Sequence, residues 1–574
     1  MWGGNGRRVP IPASSDAYIP VFRGRHASAR RETNTGRHAP THNRIMNDTA
    51  TAPLLTSHKA KPAKQPSIDE MIETYIGATG GMQLLKAVMV AFAWAFDAQQ
   101  VFISVFTDAE PPWHCVGSSA NSPCSLDAAS PCALPPGTWA WDRPAETSVV
   151  SEWALKCAGP TLVSLPASSF FAGWLAGGFL LATLTDSRLG RKKMLLVSLV
   201  SMSIAGVLTA LAPNVWAYAA LRFVSGFVRS TVSTCALVLA TELVGKKWRN
   251  TVSVAAFFCY TVGFVSLPAL AYTFREASWR SMYLWTSVPC LCYAVLLYFV
   301  AQESPRWLLV RGRKEDAVAT LRQIAAVSGG GSFSMLKACN MIDDAGASGG
   351  GMFDTLQMMW GRRWALRRLV VAMAVGFGVG MVYFGMPLGA GSLGTNLYLS
   401  VTYNALAEVP SAVLSWILVG NVNRRSSAVA LAAAAGACSL ACVAIPSGTR
   451  MAAEILSFFA TCTAFDVIMI YSTELFPTAV RNSAVGLVRQ AMVLGGAAAP
   501  VLVALGRERS FWSFGMFGIA TLCSAVFATF LPETRGRSMS DTMEEEEERT
   551  VAEATSFTIM AAASAAMDSD GHLV

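Results

Sequence analysis

Several charged side chains stand inside long apolar runs of this sequence. Four of them are Asp97, Arg222, Glu408 and Asp466. A charge at the centre of a membrane-spanning helix costs about 2.5–3.5 kcal/mol on insertion scales, so such residues mark ion or substrate pathways by default. An acid paired with a base can hold and release a proton, and an acid can also serve as the countercharge of a bound cation. The alternative for Asp97 and Arg222 is a purely structural ion pair.

The composition of the chain requires a membrane around most of it. Hydrophobic residues make up 53% of the 574 residues and charged residues only 14%, whereas soluble domains carry roughly 25% charge. Twelve windows approach or exceed the length of about 20 apolar residues that a spanning helix needs. They cover 84–106, 161–185, 194–212, 215–240, 251–273, 282–302, 368–390, 396–420, 427–446, 452–472, 483–504 and 511–531. We therefore predict an all-α membrane protein with twelve transmembrane helices.

A ten-residue motif occurs twice and indicates an internal duplication. Thr241–Asn250 reads TELVGKKWRN and Thr473–Asn482 reads TELFPTAVRN, each between two predicted spans. Two copies in the same orientation suit halves related by an axis along the membrane normal. We predict two six-helix bundles with connecting segments. The predicted parts are a tail 1–83, a bundle 84–302, a linker 303–367, a bundle 368–531 and a tail 532–574.

The loops between the spans predict the orientation of the chain. Lysine and arginine concentrate in alternate loops, and by the positive-inside rule both termini are cytoplasmic.

The long loop 107–160 then lies in an oxidising space, and its four cysteines predict disulfides in any of three pairings. These disulfide candidates are Cys115, Cys124, Cys132 and Cys157. We expect a multi-pass protein of the plasma membrane or the vacuolar membrane, and a monomer.

Several short motifs resemble those of the major facilitator superfamily. The segments are DSRLGRKK at Asp186–Lys193, ESPRWLL at Glu303–Leu309, ELFPTAVRN at Glu474–Asn482 and PETRG at Pro532–Gly536. Together with FDAQQ around Asp97 they resemble the plant-type branch of the organic cation transporter family, from about residue 68 to 537. Ser187 stands where the superfamily motif has an aspartate, and Asp186 comes one residue early.

The resemblance implies a transporter that works by alternating access, with charged gating residues on the cytoplasmic face. We expect Glu242 to pair with Arg249 and Glu474 with Arg481. The gating residues implied are Asp186, Arg188, Gly190, Arg191, Glu242, Arg249, Glu303, Arg306, Glu474 and Arg481.

The resemblance also implies a cation site. Tyr383 and Glu408 match positions that the family places at its cation cavity, and an aromatic face attracts a quaternary ammonium. Packing against core or lipid is the alternative for Tyr383. Animal cation transporters carry an aspartate where this chain has Val493, so we expect Asp466 to replace that countercharge, with Gln490 nearby. The implied cargo is a small organic cation or zwitterion such as carnitine, choline or a polyamine.

Proton-coupled sugar porters place an acid and an arginine in the same two helices as Asp97 and Arg222, so we expect this pair to be a proton switch.

The sequence has no phosphate-binding loop, since Gly245-Lys246 is followed by Lys247, and no metal-ligand spacing. We therefore expect no enzyme activity, cofactor, metal or nucleic-acid partner. A sugar or polyol porter and a transporter-like sensor stay open as alternatives. The acid run Glu544–Glu548 predicts a solvated, disordered tail.

Overall fold

A computed structural model describes most of the chain after residue 78. The described residues are 79–116, 131–135, 137–184, 189–328, 357–393, 396–507, 510–537, 540, 542–552 and 555. Asp186, Arg188 and Cys124 lie outside this part of the chain.

The described residues form twelve apolar helices, which confirms the predicted fold class. Ten of them have the length and composition of a membrane span. The other two, α8 and α12, take the remaining predicted positions in the order. The helices are α1 Gly81–Thr107, α2 Pro160–Leu184, α3 Arg191–Ala210, α4 Val215–Glu242, α5 Lys246–Thr273, α6 Trp279–Val300, α7 Arg363–Gly389, α8 Leu397–Asn421, α9 Arg424–Ala444, α10 Ser447–Leu475, α11 Arg481–Gly506 and α12 Phe514–Ala528.

Helix packing repeats from one half of the chain to the other. In the first half α1 packs on α5, α2 on α4 and α3 on α6. In the second half α7 packs on α11, α8 on α10 and α9 on α12, so each contact recurs six helices later. The most extensive contacts between the halves are those of α2 with α11 and of α5 with α8. We call the end of the bundle that carries segment 107–160 the loop face, and the end that carries segment 303–367 the linker face.

Glycines let helix backbones approach closely inside each half. A Cβ atom on Gly226 of α4 would lie 1.9 Å from the Phe170 carbonyl oxygen of α2, and one on Gly495 of α11 would lie 2.1 Å from the Phe377 carbonyl oxygen of α7. Membrane helices have little hydrophobic driving force between them, so small residues that allow close packing hold them together. Any larger side chain at these two positions must separate the helices.

The segments that follow α6 and α12 form the same capping interaction on the linker face, once in each half. The Glu303 carboxylate accepts a hydrogen bond of 2.9 Å from the backbone N–H of Lys192, in the first turn of α3. The Glu533 carboxylate accepts bonds of 2.9 and 3.1 Å from the backbone N–H groups of Arg424 and Arg425, where α9 begins. A negative charge at a helix N-terminus satisfies free N–H groups and interacts favourably with the helix dipole. The two Glu residues thereby tie the end of each half to its third helix.

The acids of the repeated motif bind the residues that follow these caps. Ser304 Oγ donates to the Glu242 carboxylate. Thr534 Oγ1 donates to Glu474 at 2.6 Å, and Glu474 also forms an ion pair of 3.1 Å with Arg424.

The predicted pairing of Glu242 with Arg249 and of Glu474 with Arg481 is therefore wrong. Each Glu ends one helix, whereas each Arg belongs to the next helix after a turn. Arg481 instead donates to the Phe476 carbonyl at 3.3 Å, and the Arg249 Nε is buried without a hydrogen-bond partner among the described residues.

The other predicted gating residues that the structure describes lie beside these caps. Gly190 has φ of 82°, and a Cβ atom there would lie 2.6 Å from the Glu303 carboxylate, so a side chain would disturb the cap. Arg191 is the first residue of α3. Arg306 is exposed in the short helix Pro305–Val310.

Two short strands and a disulfide lie in the described part of the loop between α1 and α2. Strand β1, Trp113–Cys115, pairs antiparallel with β2, Trp139–Trp141. Cys132 and Cys157 are joined by a disulfide across a Cα–Cα distance of 5.5 Å, and Cys115 is also disulfide-bonded.

The acidic tail is folded where the sequence predicted disorder. Residues 543–552 are helical and lie against the start of α7. Arg368 pairs with Glu546 at 2.7 Å, and Arg362 pairs with Glu544 and Glu547. Burial disfavours the charge of Glu546, but hydrogen bonds from Ser540 and Arg368 hold the pKa of its carboxyl below the ordinary 4.5.

We expect Gly495→Leu to destabilise the protein, because the added side chain overlaps the α7 backbone. Overpacking typically costs about 1–3 kcal/mol. Gly486→Leu in the same helix is the matched control, since nothing lies within 4 Å of a Cβ there. Thermal unfolding in detergent, followed by size-exclusion fluorescence, should show a lower midpoint for the first variant only. Equal midpoints for the two variants would contradict the close-packing argument.

We expect Glu546→Gln to release the tail helix from α7, with faster amide hydrogen exchange over residues 543–552. Glu548→Gln is the control, because Glu548 is exposed. A carboxyl with a lowered pKa stabilises the docked state above its ordinary value of 4.5, and this contribution is lost as the pH falls through the lowered value. Exchange that is equally slow in both variants would show that the ion pair does not hold the tail.

Candidate functional site

Aromatic rings from both halves meet between the two bundles, and we call this group the central cluster. Phe102 of α1 stacks on Phe264 of α5 at 3.9 Å between ring centroids. The Tyr383 ring of α7 lies 6.3 Å from that of Phe102, so the rings of the two halves meet here. Phe458 and Phe465 of α10 lie 5.8 and 4.8 Å from Tyr383 and complete the cluster.

Glu408 of α8 supplies the charge of this cluster. Its carboxylate accepts a hydrogen bond of 2.7 Å from the Tyr383 hydroxyl and one of 3.4 Å from Thr261 Oγ1 of α5. The first partner belongs to the same half and the second to the other half. The structure thus brings the two predicted residues Tyr383 and Glu408 together, beside a contact between the bundles.

Asp466 and Gln490, the other predicted substrate residues, lie outside this immediate group. Asp466 accepts a hydrogen bond of 3.1 Å from Ser415 Oγ, and Ser415 is about two turns of α8 beyond Glu408, toward the linker face. The Gln490 amide of α11 packs directly against Gly178 of α2, where a Cβ would lie 1.9 Å from its Nε2.

Asp97 is paired with Arg229, and the predicted pair of Asp97 with Arg222 is wrong. Arg229 Nε donates to Asp97 Oδ1 at 2.8 Å and Arg229 Nη2 to Oδ2 at 2.5 Å. Both side chains are 2% exposed. The guanidinium also lies 3.9 Å above the Trp174 ring.

Arg222 donates its hydrogen bonds to neutral groups and lies closer to the loop face. Its Nη2 donates to Ser104 Oγ at 3.0 Å and to the Gln100 carbonyl at 3.3 Å, and its guanidinium lies 4.1 Å above the Phe170 ring. Helices α1 and α4 run antiparallel. Ser104 lies two turns after Asp97 on α1, and Arg222 lies two turns before Arg229 on α4, so both steps lead toward the loop face. This register places Arg229 beside Asp97 and Arg222 beside Ser104.

Arg489 of α11 crosses to the other half near this pair. Its guanidinium donates to Ser233 Oγ at 2.8 Å and to Thr234 Oγ1 at 3.0 Å, both on α4. Ser233 lies one helical turn beyond Arg229 on α4, which places the Arg489 guanidinium near the pair of Asp97 and Arg229. The sequence predictions gave Arg489 no role, although a basic residue inside the predicted span 483–504 was a sufficient signal.

Glu454 of α10 is a buried acid that the sequence predictions missed. It is 0% exposed and accepts hydrogen bonds from Asn404 Nδ2 at 2.7 Å and Ser400 Oγ at 3.2 Å, both on α8. Its position inside the window 452–472 was the available signal.

A cavity of about 690 Å³ opens at the loop face between the halves. Its lining reaches Ser104 and Leu388, which lie within two helical turns of Phe102 and Tyr383 in the central cluster. Charged groups line its mouth, and one of them is Asp108. Burial raises the pKa of the Asp108 carboxyl, partly offset by a 2.8 Å hydrogen bond from Tyr218. Among the described residues, no group of three His, Cys, Asp or Glu is placed to hold a metal ion.

Comparison of the sequence with known proteins finds transporters. The profile of the family "Sugar (and other) transporter" matches residues 143–545. Organic cation/carnitine transporter 3 of Arabidopsis thaliana is 48% identical over 510 residues, which cover 88% of this chain and 98% of that protein. Organic cation/carnitine transporter 2 of the same plant is 47% identical over 512 residues, covering 87% and 96%.

A structural comparison supports the same fold. The xylose transporter XylE from E. coli, in an inward-open conformation, superposes with a TM-score of 0.55 at 18% identity, covering 79% of this chain and 97% of that one. At such identity the likeness establishes the fold alone. The sequence relatives confirm the resemblance expected from the motifs: the chain belongs to the major facilitator superfamily and, within it, to the organic cation/carnitine transporter family, whose members are transporters and not enzymes.

Proposed function

We propose that this protein is a secondary active transporter that moves a small organic cation or zwitterion of the carnitine, choline or polyamine class by alternating access, coupled to protons. The observation that carries the proposal is a carboxylate, Glu408, set among aromatic rings where the two halves meet. The relatives named for organic cations and carnitine support the same substrate class.

The central cluster has the chemistry that an ammonium group requires. A cation above an aromatic face gains about 0.5–2 kcal/mol, more when it is desolvated, and Glu408 adds a full countercharge. Glu408 is near the middle of the 25-residue helix α8, the depth at which transporters of repeated architecture bind their cargo. A polyol porter needs several hydrogen-bonding side chains, whereas phenyl rings dominate this cluster.

The contacts between the halves support alternating access. The cavity leads from the loop face toward the cluster, while Arg489 joins the halves on the other side of it. We assign the loop face to the extracytoplasmic side, since a disulfide such as Cys132–Cys157 persists in oxidising spaces. Cargo then enters through the cavity and leaves after the Arg489 contact opens, at the plasma membrane or the vacuolar membrane.

Asp97 and Arg229 form the proton switch of this proposal. A carboxylate held by a guanidinium stays ionised, and it gains affinity for a proton once the guanidinium moves away and burial dominates. Arg489 contacts Ser233 of α4, one helical turn from Arg229. Movement of α11 against α4 during the cycle therefore changes the field at Asp97.

We expect Glu408→Gln to raise the half-saturating concentration for transported cations by tenfold or more. Loss of one unit charge at about 4 Å removes up to ~4 kcal/mol at an effective dielectric of 20. Uptake of radiolabelled carnitine, choline and tetraethylammonium into proteoliposomes measures this, with Glu276→Gln as an exposed acidic control. Unchanged half-saturation for all three cations in the Glu408 variant would contradict the proposed site.

We expect Asp97→Asn to retain cargo exchange at equilibrium but to accumulate less cargo under an imposed pH gradient. Each coupled proton contributes about tenfold per pH unit to the accumulation ratio. Because a lone buried Arg229 destabilises the fold, the double variant Asp97→Asn/Arg229→Gln is tested in parallel. A variant that exchanges cargo and also reaches the wild-type accumulation ratio would show that the pair is structural.

A further inference from the structure

Glu454 and Arg222 occupy equivalent positions in the two halves of the chain. Each precedes its copy of the repeated motif by the same number of residues, in α10 and α4 respectively. Their exposures are 0% and 1%. Neither forms an ion pair with any residue that the structure describes. Duplication has thus placed a buried anion where the other half has a buried cation.

The surroundings of Glu454 are polar but provide no countercharge. Asn404 and Ser400 of α8 donate the two hydrogen bonds to its carboxylate, and both are themselves 0% exposed. The titratable group from α9 is the Cys442 thiol. Arg450, one turn earlier on α10, directs its Nε to the Ile445 carbonyl at 2.9 Å. Within the described residues the carboxylate therefore depends on neutral donors alone.

A buried carboxylate without a basic partner favours a bound cation. Hard metal cations take about six or more oxygen ligands, whereas this site offers the oxygens of Glu454, Ser400 and Asn404 only. A proton needs a single oxygen and leaves a neutral carboxyl group. Asn404 Oδ1 is buried without a partner in the described structure, and it can accept the O–H of that carboxyl group.

We propose that Glu454 is a proton-binding site of the second half, linked through α8 to the cation site at Glu408. This inference rests on the proposed transport function. Asn404 lies one helical turn before Glu408, so the two carboxylates are on the order of 10 Å apart. Protonation exchanges two charge-assisted hydrogen bonds between α10 and α8 for weaker neutral ones. It also removes a negative charge close to the bound cation.

The test uses the full-length protein in proteoliposomes with the membrane potential clamped at zero. The probe is whichever of carnitine, choline and tetraethylammonium the wild type moves fastest. Under a gradient of one pH unit, Glu454→Gln should lower the accumulation ratio by about tenfold, the contribution of one proton, while exchange continues. Ser457→Ala is the matched control, since Ser457 is equally buried on α10 and donates only to the Ala435 carbonyl. It should keep the wild-type ratio.

A wild-type ratio in Glu454→Gln would overturn the inference. A sodium dependence would also overturn it. If the accumulation ratio of the wild type follows a sodium gradient and that of Glu454→Gln does not, the site binds a metal cation. If Glu454→Gln does not fold, Ser400→Ala tests the same site. Loss of one donor to the anion should move the pH of half-maximal accumulation upward, and an unchanged pH would count against the site. A wild type that moves none of the three cations would overturn the proposed function, and this inference with it.

Discussion

A charge buried in an apolar bundle must find a partner, and this requirement organises the interior of the protein. Asp97 satisfies this requirement with two hydrogen bonds from the Arg229 guanidinium, one to each carboxylate oxygen. Glu408 satisfies it only in part, through the Tyr383 and Thr261 hydroxyls. Neutral hydrogen bonds compensate a buried ion less completely than an opposite charge does. The acids held by neutral donors, Glu408, Glu454 and Asp466, therefore have a greater affinity for an incoming positive charge than Asp97 has.

The two halves share the same helix packing and the same helix caps, whereas a few buried charged residues differ between them. On the linker face both halves keep the same device, in which Glu303 or Glu533 caps the third helix of its half and the next hydroxyl binds the acid of the repeated motif. Within the bundles the halves differ. Arg222 lies in one half where Glu454 lies in the other, and Glu408 and Asp466 add further acids to the second half. Equivalent positions in the two halves therefore carry a positive charge in one half and a negative charge in the other.

The sequence predicted the fold because length, hydropathy and a repeated motif are local properties. Pairings were harder, since they depend on the register between helices. The spacing within α4 offered Arg222 and Arg229 equally, and only the antiparallel packing of α1 selects Arg229 for Asp97. The pairing of Glu474 with Arg481 failed for a related reason, because a turn separates the two residues. The acidic tail was predicted as disordered because its partner, Arg368, is remote in sequence.

The unequal distribution of charge suggests why an empty carrier would move slowly in the proposed cycle. Glu408 bridges the halves through Tyr383 and Thr261, so rocking of one half against the other must break one of its hydrogen bonds. A carboxylate that loses a neutral donor in an apolar site pays a desolvation cost of about 1–3 kcal/mol or more. A bound cation, which remains with the carboxylate, removes most of that cost. Cargo then lowers the barrier to the movement that transports it, which is the condition for coupling binding to transport.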